Sequence, residues 1–228
     1  MLGTIVNTIS IIIGGTFGNL LGNTFNERYS DILMKAISMS VIVIGLKSAL
    51  ETQNILLLIC CMAIGSLLGE FLKIEDHLGH ISSIIEKKFS KKKNNFTEGF
   101  VTATLIYCVG AMAIIGAIES GVNNNHSTLF AKSILDGISS IVFASTLGIG
   151  VPFAAIPVFI YQGSITLLAG LLANHVSPAA LTELSAIGGL LIMIIGLNML
   201  KVTKIKVGNM LPAIFLPIIF FLLKGFFL

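Results

Sequence analysis

The sequence predicts an all-α protein, a polytopic transmembrane helical bundle with about eight spans. Of its 228 residues, 55% are hydrophobic and only 11% are charged, whereas soluble proteins carry roughly a quarter charged residues. The apolar residues also fall into nearly uncharged blocks of about 18 to 22, which is the length that a helix needs to cross roughly 30 Å of hydrocarbon. Because a soluble fold has no means of burying so much apolar surface, the composition excludes a soluble enzyme.

Eight apolar segments qualify as spans, and together they predict a single membrane domain over residues 1–228. The first segment is interpreted as a span and not as a secretory signal, because it lacks a basic start and a cleavage pattern. The segments cover approximately residues 4–22, 32–50, 53–72, 99–118, 129–147, 152–174, 183–200 and 208–227.

The long loop between the third and fourth spans, residues 74–97, is basic and amphipathic. Its apolar side chains Ile81, Ile84, Ile85 and Phe89 recur at helical spacing with lysines between them. This pattern predicts a short helix lying on the membrane face. Because lysines near span ends are retained in the cytoplasm, the loop is predicted to be cytoplasmic.

The remaining charges agree with this orientation. Alternation from the cytoplasmic loop places Arg28 and the lysines of 201–206 inside, and it places both termini outside. If the segment 129–147 were a re-entrant hairpin, the count would fall to seven and the lysines of 201–206 would lie outside. The charge rule therefore favours eight spans over seven.

An internal repeat is suggested when the chain is aligned with itself at an offset of 151 positions. The offset matches Ile44-Gly45-Leu46 with Ile195-Gly196-Leu197 without a gap. Spans one to three, residues 1–73, would then correspond to spans six to eight, residues 152–224, in the opposite direction, which is an inverted repeat. Chance matching among leucine, isoleucine and glycine explains the alignment equally well.

Asp136 is the carboxylate that the sequence places deepest in the membrane. It lies about seven residues from the outer end of the fifth span, or roughly 10–12 Å deep, and ionisable groups at that depth mark functional sites. Lys132 precedes it by one helical turn, so the two can pair. The alternative is a structural ion pair that fixes the rotation of the helix.

Further polar residues are predicted at a similar depth on neighbouring spans. We interpret them together with Asp136 as a polar layer at the membrane centre that binds a substrate or an ion, and the alternative is hydrogen bonding between packed helices. The layer comprises Asp136, Ser139, Ser140, Tyr161, Gln162 and Tyr107.

The junction between the fifth and sixth spans is rich in helix-breaking residues, Gly148, Gly150 and Pro152. Such residues free backbone groups, which hydrocarbon tolerates only inside protein or beside a water-filled cavity. The junction is therefore either a broken helix pair whose ends meet an ion or a small substrate, or a tight interhelical turn.

Motifs for other chemistry are missing from the sequence. Cys60, Cys61 and Cys108 have no metal-ligand spacing, and no nucleotide-binding loop or Ser-His-Asp order is present. We therefore predict no enzyme activity, no cofactor and no metal. The net charge of +3 lies in loops, which indicates contact with lipid headgroups and not with nucleic acid.

Several segments resemble a bacterial family of polytopic membrane proteins, the domain-of-unknown-function family number 554, with its uncharacterised YdfK/YqgA-type members. They include IIIGGTFGNLLG, LGEFLKIEDHLG and the central stretch KSILDGISSIVFASTLGIGVPFAAIPVFIYQGSITLLAG. The resemblance covers nearly the whole chain. It implies a multi-pass protein of the bacterial inner (cell) membrane and carries no established activity.

The function predicted from these features is a small secondary transporter or ion permease with a site near the membrane midplane. The expected partners are membrane lipids, a small solute or ion, and a second copy of the chain through glycine-rich faces. The alternative is a membrane scaffold or sensor without transport activity that binds its partner through loop 74–97. An intramembrane enzyme is the weakest hypothesis, because no nucleophile and base pair is visible.

Overall fold

The computed structural model describes residues 1–22, 27–89, 96–109, 111–172 and 177–227, and in these ranges the regular structure is helical. The helices are α1 (Leu2–Gly22), α2 (Glu27–Ala49), α3 (Ile55–Leu72), α4 (Ile74–Phe89), α5 (Phe96–Cys108), α6 (Ala111–Val122), α7 (Ser127–Leu147), α8 (Gly150–Phe153), α9 (Ala155–Leu167), α10 (Ala169–Leu172), α11 (Pro178–Met199), a 3-10 helix (Val207–Phe215) and α12 (Leu216–Phe227).

The helices confirm the predicted membrane bundle. Within the described residues, seven are long and apolar enough to cross a membrane, and the count reaches eight if the bent pair formed by α5 and α6 is one span. That pair bends by 59° between Phe96–Cys108 and Met112–Val122. The break thus falls in the fourth predicted span, whereas α7 runs unbroken through 129–147, the segment that the seven-span alternative treated as a hairpin.

The chain divides into two compact units, each assembled from separate stretches of sequence. The first unit comprises Met1–Ile37, Leu78–Cys108 and Met112–Gly170, and the second comprises Ser38–His77, Val109–Ala111 and Leu171–Leu228.

The first unit is built around a close contact between α1 and α7. Glycines at one-turn intervals on α1 face backbone carbonyls of α7: a Cβ atom added at Gly14 or Gly18 would overlap the carbonyl oxygen of Gly137 or Ile141. Small residues at this spacing let helix backbones approach closely in a membrane. α1 also contacts α8 and α9, while Ile5, Ile12 and Phe17 are exposed, so one face of α1 packs within the unit and another faces outward.

The second unit repeats this mode of packing with different helices. On α3, Gly65 faces Ala213 and Gly69 faces the carbonyl oxygen of Asn209, both in the 3-10 helix. The 3-10 segment contains Pro212, which has no N–H to donate to the α-helical ladder and clashes with the preceding turn. A short 3-10 stretch accommodates this proline before α12 begins.

Within the second unit, α2 and α11 contact each other reciprocally. A Cβ atom added at Gly45 would meet Met193 and the carbonyl oxygen of Gly189, and one added at Gly196 would meet Ile42 and the carbonyl oxygen of Ser38. The offset of 151 positions relates Gly45 to Gly196, and it also relates Ile42 to Met193 and Ser38 to Gly189. It further carries Glu27–Ala49 onto residues 178–200, where α11 spans Pro178–Met199.

A helix, α4, occupies the stretch for which an amphipathic helix was predicted. Its Ile81 and Ile84 are 49% and 55% exposed, while Ser82 is buried and donates a hydrogen bond to Thr97. Residues 90–95 and the side chains of Ile85, Lys87, Lys88 and Phe89 lie outside the description. The cytoplasmic position of the loop 74–97 stays a prediction.

Candidate functional site

The buried ion pair of Lys132 and Asp136 lies on the inward face of α7 in the first unit. Lys132 and Asp136 are 7% and 6% exposed, and the Lys132 Nζ lies 3.0 Å from Oδ1 and 2.8 Å from Oδ2 of the carboxylate. One helical turn separates the two residues, so the side chains reach each other without bending the helix. Sequence spacing predicted this pair correctly.

Asn7 of α1 joins the ion pair to α9. Its amide nitrogen Nδ2 donates one hydrogen bond to Asp136 Oδ2 at 3.0 Å and a second to Gln162 Oε1 at 3.2 Å. Asn7 and Gln162 are both fully buried. Sequence analysis placed Asp136 and Gln162 in one layer but missed Asn7, although an asparagine in the first half of an apolar span was the available signal.

Two polar atoms of these amides have no hydrogen-bond partner. They are Asn7 Oδ1 and Gln162 Nε2, an acceptor and a donor on side chains that already bond to each other. Buried polar groups in proteins nearly always find partners. In this conformation each of the two amides therefore leaves one of its two polar atoms without a hydrogen bond.

Threonines extend the polar layer along α1 and α9. The hydroxyls of Thr4 and Thr166 lie 3.4 Å apart, and Thr166 also donates to the backbone carbonyl of Gln162 at 2.8 Å. Both threonines are buried. The layer therefore continues past the amides on the two helices that hold them.

Tyr107 and Ser140 form the other side of the layer. Their hydroxyls lie 2.8 Å apart, both residues are buried, and the tyrosine ring packs against Phe143. Ser139 instead bonds to the backbone carbonyl of Asp136, and Tyr161 is only partly buried. Of the residues predicted for the layer, the structure thus buries Asp136, Gln162, Ser140 and Tyr107, together with Lys132 as the ion-pair partner of Asp136.

The glycine and proline junction is a compact turn packed against α5 and α1. Gly148 adopts a φ of 79°, a backbone conformation that glycine allows without steric cost. A Cβ atom added at Gly150 would overlap the carbonyl oxygen of Phe96, and Pro152 lies against Gly15. The junction thus serves close packing.

A cavity of about 360 Å³ lies beside this junction and is lined by residues that include Ile12, Thr16, Asn19, Pro152 and Phe153. Its lining is mostly apolar and contains none of the polar-layer residues. The structure therefore does not combine Gly148, Gly150 and Pro152 with Asp136 into one site.

The second unit contains a buried carboxylate that sequence analysis missed. Glu183 is 2% exposed and accepts hydrogen bonds from the Thr52 hydroxyl at 2.6 Å and from the backbone nitrogens of Gln53 and Asn54 at 2.8 and 3.0 Å. These donors belong to the turn that precedes α3. Glu183 is the first residue of the predicted span 183–200, where a charged side chain is expected to face water, so the sequence did not predict its burial.

A second polar cluster surrounds Asn209 of the 3-10 helix. Asn209 donates to Glu70 at 2.6 Å and accepts from the backbone nitrogen of Glu75 at 2.7 Å. Burial raises the pKa of the Glu75 carboxyl above its ordinary value, although the hydrogen bond from the Gly208 N–H acts against the rise. Lys206 and Asp76 pair at 3.0 Å on the exposed side.

Among the residues that the structure describes, no group of three or more histidine, cysteine, aspartate or glutamate side chains is placed to hold a metal ion. The candidate site is the hydrogen-bonded layer around the ion pair of Lys132 and Asp136.

Comparisons with known proteins find similarity along nearly the whole chain. The family model described as Protein of unknown function (DUF554) matches residues 2–222. The chain is 35% identical over 233 residues to the "Uncharacterized membrane protein YdfK" of Bacillus subtilis (strain 168), with 99% of this chain and 98% of that protein covered. It is 28% identical over 221 residues to the "Uncharacterized protein YqgA" of Escherichia coli (strain K12), with 95% and 94% covered. No solved structure matches the chain significantly.

Proposed function

The chain belongs to the family described as Protein of unknown function (DUF554), and for this membrane protein we propose the function of a small secondary transporter or ion permease. Its site is the polar layer around Asp136, with Lys132 and Asn7 as the direct partners and Gln162 joined to Asp136 through Asn7. The proposal includes a multi-pass arrangement in the bacterial inner membrane. It involves a small solute or ion, membrane lipids and a second copy of the chain as partners, and no enzyme activity or cofactor.

The observation that carries this proposal is the buried ion pair of α7, which is hydrogen-bonded to an amide pair with two unsatisfied polar atoms. An ion pair removed from water costs several kcal/mol per ion, by an order-of-magnitude estimate, unless geometry and further hydrogen bonds compensate. A purely structural network is expected to satisfy all its members. Here Asn7 Oδ1 and Gln162 Nε2 stay without partners, which supports a site that changes its contacts during a cycle.

The reciprocal contact of α2 with α11 adds support. In a pair of segments related by a two-fold axis, residue i of one contacts residue j of the other, and the partner of i contacts the partner of j. Gly45 with Met193, and Gly196 with Ile42, have this relation at the offset of 151 positions. Transporters with inverted repeats bind their substrates between such halves, so the contact favours a transporter over a packed scaffold.

The test is a flux screen in proteoliposomes with matched variants. Asp136→Asn keeps the shape and removes the charge, so we expect it to abolish coupled flux. Because it leaves the Lys132 ammonium buried without its carboxylate, its expression and thermal stability in detergent are compared with those of the Lys132→Met, Asp136→Asn double variant. The control is Asp31→Asn, because Asp31 and Lys35 form an exposed ion pair of the same spacing, at 2.6 Å. Normal flux in Asp136→Asn would show that the ion pair is structural.

The topology is tested by labelling single cysteines introduced at Ser90 and Asn124 after replacement of the three native cysteines. We expect Ser90 to react from the cytoplasmic side and Asn124 from the outside, because the lysine-rich loop is retained inside. Reversed labelling, or equal labelling from both sides, would contradict the topology.

The scaffold or sensor function is the second candidate, and the exposed Ile81 and Ile84 of α4 favour it. An apolar helical face flanked by lysines suits a membrane surface or a partner helix. Replacing both isoleucines with serine should leave flux unchanged if the protein is a transporter. Loss of a cellular phenotype with intact flux would instead favour the scaffold.

A further inference from the structure

Asn7 and Gln162 hold complementary unused atoms, and this arrangement follows from the charge of Asp136. A carboxylate only accepts hydrogen bonds, so the amide of Asn7 must present its NH2 group to Asp136 Oδ2. The second hydrogen of that group points to Gln162 Oε1 at 3.2 Å. The orientation of Gln162, which has no direct bond to Asp136, is thus set through Asn7.

The same donor and acceptor rules exclude the reversal of one amide alone. Turning Asn7 would place its carbonyl oxygen against both the carboxylate and Gln162 Oε1, and turning Gln162 would place two NH2 groups against each other. Reversal of both amides together produces one consistent alternative. In it, Gln162 Nε2 donates to Asn7 Oδ1, and that oxygen also accepts a hydrogen bond from a protonated Asp136 Oδ2.

We propose that Asn7 and Gln162 form a two-amide switch whose orientation follows the protonation of Asp136. One proton, taken from water when the site opens, adds to Asp136 Oδ2. No other covalent bond of the protein changes, because Lys132 stays protonated. Its Nζ, which lies 3.0 Å from Oδ1 in the structure, continues to donate to that oxygen. The switch rests on the proposed function in so far as it supplies the coupling of that transporter.

Around Asp136 the described residues include few charged or titratable groups, and the two amides of the switch are neutral. Among the described residues, the charged or titratable ones are Lys132 on the same helix and Tyr107 and Cys108 on α5. From α1 and α9, Asp136 meets the neutral side chains of Asn7 and, through it, Gln162.

The reversal exchanges the atoms that the amides leave free. With a charged Asp136 they are an acceptor on Asn7 and a donor on Gln162, and with a neutral Asp136 they are a donor on Asn7 and an acceptor on Gln162. A small polar solute that reaches these atoms therefore meets opposite hydrogen-bonding groups in the two charge states. Because linkage is reciprocal, a solute that fits one state shifts the affinity of Asp136 for its proton.

The sequence offers a simple probe, because the chain contains only two glutamines, Gln53 and Gln162. The Gln53→Met variant, labelled with ¹⁵N-glutamine, leaves Gln162 as the sole labelled side chain. Gln53 contributes its backbone nitrogen to Glu183, and this contact is kept. Solid-state NMR of the full chain in proteoliposomes then reports the Gln162 amide as the pH is lowered. With ¹³C-labelled aspartate, the Asp136 carboxyl is identified among the three aspartates as the signal that Asp136→Asn removes.

We expect the Gln162 and Asp136 signals to change with one common midpoint. In Asp136→Asn the Gln162 signal should no longer depend on pH. In Asn7→Leu, or in Asn7→Ala if the larger residue prevents folding, Asp136 should still titrate but Gln162 should no longer follow it. A constant Gln162 signal while Asp136 titrates, a Gln162 that follows without the Asn7 amide, or an Asp136 that keeps its charge throughout would each overturn the switch.

The measurement requires no transported solute, so the two proposals fail separately. If Gln162 follows Asp136 but the proteoliposome screen finds no flux, the switch stands and the transporter function falls. If Asp136→Asn abolishes flux while Gln162 stays constant, the transporter stands and the switch falls.

Discussion

Among the described side chains, each of the two compact units buries one carboxylate, and the two are stabilised in different ways. Asp136 in the first unit has an ammonium partner, Lys132, and one amide hydrogen bond from Asn7. Glu183 in the second unit has no lysine, arginine or histidine nitrogen within 4.0 Å among the described residues. It is held instead by one hydroxyl and two backbone N–H groups.

The difference separates a carboxylate that is free to change its partners from one that is fixed. Backbone N–H groups of the turn before α3 cannot leave Glu183 without unfolding that turn. Side chains such as Lys132 and Asn7 can rotate while their helices stay in place. Burial of a charge is therefore insufficient to identify a functional site, and the mobility of its partners is the better criterion.

The largest effect is expected at Glu183. Glu183→Ala leaves the Gln53 N–H and the Thr52 hydroxyl without their acceptor, while the Asn54 N–H keeps only its bond to the Thr52 hydroxyl oxygen; this should cost roughly 2–4 kcal/mol of stability. Equilibrium unfolding in mixed detergent measures this loss, and Glu51→Ala, at an exposed position of the neighbouring turn, is the control. Equal stability of the two variants would contradict the structural role of Glu183.

Glycine packing should matter equally in both units. An added Cβ overlaps the carbonyl oxygen of Ile141 at Gly18 and that of Asn209 at Gly69, so Gly18→Ala and Gly69→Ala should each cost about 1–3 kcal/mol. Gly79→Ala is the control, because no atom lies within 4 Å of its added Cβ. Thermal unfolding in detergent checks this expectation, and a loss in only one unit would show that the other unit is not held by its glycines.

The ion pair should be dispensable for folding, in contrast to Glu183. Replacing both members together, Lys132→Met with Asp136→Asn, removes two desolvated charges and keeps an acceptor for the Asn7 amide, so stability should change by less than about 1 kcal/mol. Flux should nevertheless be lost. A double variant as unstable as Glu183→Ala would show that both carboxylates are structural.

The smallest effect concerns Glu75 and its dependence on pH. Its pKa is raised from 4.5, chiefly by burial, so its contribution to stability is complete below pH 4.5 and is lost as the pH rises through the raised pKa. Glu75→Gln should remove this loss, because glutamine stays neutral and still accepts from the Gly208 N–H. Thermal midpoints of both proteins across that range test the sign, and a larger decline with pH in Glu75→Gln would contradict it.

The sequence predicted the membrane fold well, because the length and apolar content of a span are local properties. It also predicted the ion pair, since Lys132 and Asp136 lie one helical turn apart. Asn7 and Glu183 were missed because their burial depends on partners more than 120 residues away, Asp136 for Asn7 and Gln53 for Glu183. The bend between α5 and α6 was also missed, as apolar composition continues across it.

The glycine contact between α1 and α7 has a mechanical consequence. Because backbone lies directly on backbone over two helical turns, α1 and α7 have no side-chain layer in which to slide and must move as one rigid body. That body includes both Asn7 and Asp136. Gln162 belongs to α9, which is separated from α8 at Ala154 and from α10 at Leu168. Any opening of the polar layer therefore moves α9, with Gln162, away from the rigid pair of α1 and α7.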